Sequence, residues 1–99
     1  MAAELLQQAR EHHLRRAART LVADNSQRVT LIALAEGAEP AEHDSPSAAT
    51  LHVITGNVRL STHDHDRLLD RGRLTAIPPE RHSLTAVLDS AVPLTVALH

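Results

Sequence analysis

The sequence predicts an all-β domain, a sandwich or a barrel, with one α-helix in front of it. Three observations carry that expectation. Apolar residues recur at spacings of 3 and 4 over the opening positions, then switch to strict alternation from Arg28 onward. Short apolar runs then succeed one another at the spacing of about seven or eight strands. Gly, Pro, Asn or Asp bound these runs, and these are the residues that interrupt regular structure. A chain of 99 residues has room for one compact domain. It removes only about two thirds of its unfolded surface from water, so pairing with a second copy would add stability and a homodimer is expected.

The helix is expected over residues 2–20, which are rich in Ala, Leu, Gln, Glu and Arg and contain neither Gly nor Pro. Leu5, Leu6, Ala9 and His13, continued by Ala17 and Leu21, make one apolar stripe, while Glu4, Gln8, Glu11, Arg15 and Arg19 point elsewhere. A stripe this thin needs something to lie on, so residues 1–24 are expected to pack on the β domain or on a partner. Asp24-Asn25-Ser26 ends it. The first strand alternates Val29, Leu31 and Ala33 with Thr30, Ile32 and Leu34, and stops at the turn from Glu36 to Pro40. Further strands are expected at 50–55, 58–62, 74–77, 82–88 and 93–98. Gly56-Asn57 suits the positive φ of a tight hairpin, and the segments from His63 to Asp66 and from Asp70 to Arg73 suit polar turns.

Composition excludes several functions. There is no Phe, Trp or Tyr, so the apolar 42% rests on 15 Leu, 16 Ala, 7 Val and 3 Ile. Without aromatic platforms, single-stranded nucleic acid has nothing to stack on. Ten Arg, no Lys and twelve acidic residues give a net charge of −2 with no basic block, so no nucleic-acid partner is expected. No Cys means no disulfide and no thiolate chemistry. No apolar run approaches the roughly 18 residues of a membrane span and the opening residues carry Glu and Arg, so the expected location is the cytoplasm, with no membrane partner. Ser45, Ser47, Ser83 and Ser90 lack a nucleophile-elbow context, and the three Gly stand too far apart to cradle a phosphate.

The segments GAEPAEH at 37–43, ATLHVITG at 49–56 and GRLTAIPPERH at 72–82 resemble the two consensus motifs of the cupin superfamily. The opening helix and the closing LTAVLDSAVPLTV also resemble small single-domain bacterial cupins. The resemblance implies a cupin-type double-stranded β-helix, a jelly-roll barrel, over residues 25–99 behind one N-terminal α-helix. It also implies a metal site of three His and one Glu in the barrel mouth. Gly37, His43 and Gly56 keep the frame of the first motif; in the second, Gly72 and Pro78 match, His82 arrives one residue early and the closing Asn has no counterpart. Ser45 stands at the second His position, Ala49 at the Glu position and Glu80 at a Gly position.

His43 and His82 are therefore the candidate metal ligands, an incomplete set for Zn, Fe, Mn or Ni, since a catalytic metal takes about three protein ligands. Glu42, Asp44 or Ser45 could supply a third. Without a metal, the same imidazoles can move a proton or bond a ligand, or simply be satisfied by backbone. Strand alternation places His52 with Thr50 and Ile54 on the outer face. The His63–His65 run reads as a solvated turn tip, and His12, His13 and His99 make no site. The expected ligand pocket contains His43 and His82 among Leu31, Ala33, Leu51, Val53, Ala76, Leu84 and Ala86; a one-residue slip of register would exchange each for its neighbour.

The function expected from these features is small-molecule binding inside the domain without strong metal catalysis; no catalytic residue is assigned. The alternatives are a metal-dependent enzyme resembling cupin dioxygenases or cyclases, a metal-free isomerase using His43 or His82, and a structural homodimer or protein-interaction module that uses the helix and the outer face.

Overall fold

The computed structural model describes residues 2–38, 48–77 and 81–97. His43 and Pro78 lie outside them. The elements run α1 (Ala2–Glu11), β1 (Arg16–Ala23), β2 (Gln27–Leu34), β3 (Ala48–His52), β4 (Asn57–Ser61), β5 (Asp66–Asp70), β6 (Leu74–Ala76), β7 (Ser83–Ala86) and β8 (Ser90–Ala97).

The helix is shorter than expected. It ends at Glu11, and residues 16–23 form a strand paired antiparallel with β2 from Arg16 opposite Leu34 to Ala23 opposite Arg28. Local propensity loses here to a ladder along the whole of β2. Two devices hold the switch. Arg15, at φ 58°, redirects the chain after the helix. At the other end the Asp24 carboxylate accepts the Ser26 and Gln27 N–H groups at 2.8 and 2.9 Å, closing the β1–β2 turn.

The strands make two open sheets, ordered β1-β2-β8-β3-β6 and β5-β4-β7. This corrects the expected closed jelly-roll barrel. Closure requires every edge strand to find a partner, whereas among the described residues β1 pairs only with β2, and β5 only with β4. The architecture is an open two-sheet sandwich with a helix on one outer face. The Gly56-Asn57 hairpin is likewise corrected, because β3 and β4 belong to different sheets and the segment between them crosses from one to the other.

That crossing is tight. A Cβ on Gly56, at φ 95°, would meet the Ser90 side chain and the Asp89 carbonyl and lie 2.6 Å from the Ser90 Cα. Ser90 is fully buried; its Oγ accepts the Asn57 N–H at 3.0 Å and lies 2.8 Å from the Leu88 carbonyl, to which it can donate.

Alternation along β2 separates two cores. Leu34, with Ile32 beside it, faces the second sheet and packs with Leu51, Val53, Val58, Leu60, Leu69, Leu84, Ala86 and Val92. Leu31, Ala33 and Ala35 face the other way and pack with Ala91 under Leu5 and Ala9 of α1. The helix is clamped there by Arg10, whose Nε and Nη2 donate to Asp89 Oδ2 at 2.9 and 2.6 Å. Asp89 Oδ1 accepts the Glu36 N–H at 2.8 Å.

Candidate functional site

A cavity of about 620 Å³ opens between the sheets. Its size falls within the usual range for small-molecule sites. Each wall follows from strand parity. On the five-stranded sheet, Ile32 and Leu34 of β2, Leu51 of β3, Leu94 of β8 and Ile77 line it; Leu60 of β4 and Leu84 of β7 face them from the second sheet. Among the described residues these walls are aliphatic except for His82.

Apart from the buried His82, the polar groups among the described lining residues come from one segment. His12, His13 and Leu14, in the connection after α1, line the cavity together with Arg16, Ala17 and Ala18 at the start of β1. All but the half-buried Ala17 are exposed, which makes this segment the rim of the mouth. The rim is built rather than loose. The His12 and His13 rings stack with centroids 4.5 Å apart, and His12 Nδ1 accepts the Leu14 N–H at 3.1 Å. Arg15 turns outward, where its Nε donates to the Glu36 carbonyl at 3.1 Å. The Arg16 position opposes Leu34 in the β1–β2 ladder, so its side chain leaves the sheet on the cavity side. Among the described residues the Arg16 guanidinium makes no hydrogen bond or ion pair.

Of the residues expected at the site, His82, Leu51 and Leu84 line the cavity, with His82 only 4% exposed. Val53 and Ala86 are buried in the same inter-sheet core, outside the cavity wall. Leu31 and Ala33 are one residue out of register and lie under the helix, with Ile32 and Leu34 in their place. Ala76 is exposed, while Thr75 beside it is buried and Ile77 reaches the wall. His43 lies outside the described residues. The rim residues His12, His13 and Arg16 were not expected at a site; had residues 16–23 been read as a strand opposite β2, the alternation would have pointed to Arg16.

The described residues do not make up a three-His, one-Glu metal centre. Ala49, at the Glu position, presents a buried methyl, and the walls around His82 are aliphatic. Among the described residues no three His, Cys, Asp or Glu side chains gather to hold an ion. The His63–Asp64 pair, with Nε2 to Oδ1 at 2.8 Å, sits exposed at the β4–β5 turn. Residues Thr50 and Ile54 are exposed and His52 is half-buried, on the opposite side of β3 from Ala49 and Leu51.

No family model matches the chain, and no curated protein matches it. Solved structures do. A conserved Streptococcus pyogenes protein of unknown function superposes with a TM-score of 0.78 at 24% identity, over 89% of this chain and 78% of that one. A cupin superfamily protein from Desulfitobacterium hafniense gives 0.78 at 12% identity, over 85% and 78%. A cupin-2 domain protein from Shewanella frigidimarina gives 0.72 at 17% identity, over 83% and 80%. At these identities the likeness establishes the fold alone. No helix among the described residues is long and apolar enough to cross a membrane.

Proposed function

We propose that this cupin-fold chain is a small-molecule binding protein that holds an apolar ligand between its two sheets and does so without a metal. One observation carries the reading: a cavity of about 620 Å³ whose described walls are aliphatic except for His82, with a polar rim at residues 12–16. The hydrophobic effect supplies the affinity, at about 0.8 kcal/mol for each methylene buried. Calorimetric titration with straight-chain alcohols should therefore show affinity rising with chain length until the space is full. An Ala18→Trp variant, which plugs the rim from an exposed edge position, should lose that binding while keeping its fold. Absence of binding across the whole series would refute the proposal.

The buried imidazole of His82 favours a second reading, a metal-free isomerase in which His82 takes the substrate proton. Its signature is exchange of a carbon-bound proton of the bound molecule in deuterated water, lost in His82→Gln.

A further inference from the structure

We infer that the ligand is an aliphatic carboxylate, its chain against the leucine and isoleucine walls and its head at the rim beside Arg16. This rests on the reading of the cavity as a ligand site and adds the charge of the ligand to it. The rim is one-sided in charge. Among the described residues its polar groups are Arg16, His12 and His13, the buried His82 also lines the cavity, and no Asp or Glu side chain lines it. Ladder register sends the Arg16 side chain to the cavity side, and among the described residues its guanidinium has no protein acceptor. The neighbouring Arg15 and Arg10 are both engaged, the first with the Glu36 carbonyl and the second with Asp89.

A lone guanidinium offers two parallel N–H donors, the geometry that a carboxylate accepts with both oxygens. His12 accepts the Leu14 N–H at Nδ1, which leaves Nε2 as its N–H donor, and the residue lines the mouth. An ammonium head would meet only cationic or neutral groups here, and a neutral hydroxyl would leave the guanidinium half used. Taking the share of one water in the liquid, about 30 Å³, as the unit, the space holds about twenty small groups, ample for a chain of about ten carbons.

The test compares sodium decanoate, decanol and decylammonium by calorimetric titration at low salt, on the wild type, Arg16→Gln and Arg19→Gln. Arg19 opposes Leu31, on the helix side of the sheet, and serves as the charge control. Decanoate should bind about three- to tenfold more tightly than decanol, a range set by the exposure of the rim, and decylammonium more weakly than decanol. Arg16→Gln should weaken decanoate more than decanol and so bring the two level; Arg19→Gln should change neither. Added salt should narrow the preference. Equal binding of decanoate and decanol, or a preference that survives Arg16→Gln, overturns the assignment of the head group while the cavity remains a ligand site. If none of the three binds, both readings fall.

Discussion

Gly56 shows how much one hydrogen atom in place of a methyl can carry. Its φ of 95° and the Ser90 backbone 2.6 Å from where a Cβ would stand leave no room for any other residue. Gly56→Ala should lose about 2–4 kcal/mol in urea unfolding, from strain and from separation of the Asn57–Ser90 bonds. Asp89 is the second such residue. The Glu36 N–H, then the Arg10 guanidinium, hold its carboxyl below the usual carboxylate range. A depressed value stabilises the fold above the ordinary range, near pH 4, and that contribution disappears as pH falls through the lowered value. Wild type should therefore exceed Asp89→Asn by about 1–2 kcal/mol at neutral pH, with the gap closing under acid in parallel unfolding curves. Asp24, held down by the Ser26 and Gln27 N–H groups, acts with the same sign. At this scale the sequence was partly legible. His82 could be found from motif spacing, but the partners of Asp89 lie 79 and 53 residues away and no local pattern discloses them.

Among the elements, the boundary between α1 and β1 is the instructive one. Residues 16–20, Arg-Ala-Ala-Arg-Thr, read as helix because Ala and Arg favour it, and nothing before Asp24 interrupts them. Their strand state depends on β2, so it is written in the partner and not in the segment. The short β5 was missed for a similar reason: its single buried residue, Leu69, leaves no alternation to see. By contrast β3 alternates clearly, and both β2 and β3 exist as expected. The slip at Leu31 and Ala33 arose because both faces of β2 are apolar, one for the helix and one for the second sheet. The helix thus covers a real apolar face. Deleting residues 1–11 should expose Leu31, Ala33, Ala35 and Ala91 and convert the protein to soluble aggregates, visible by light scattering. A monodisperse truncated protein would show that the helix is dispensable.

For the whole molecule, the spacing of short apolar runs was enough to give an all-β domain behind a helix, and solved structures share its fold. Closure was not legible. Whether sheets join depends on whether edge strands meet, and β1, unrecognised as a strand, is one of those edges. The same omission hid the mouth of the cavity, since Arg16 and Ala18 belong to β1. β1 is an edge strand of the wider sheet, and the rim forms at its start. The wall behind it contains no Phe, Tyr or Trp, nor does the rest of the chain. The molecule is consequently dark in the near ultraviolet, and an Ile77→Trp variant would carry its sole indole at the cavity wall. Its emission would report the dryness of that one surface, without background from anywhere else in the protein.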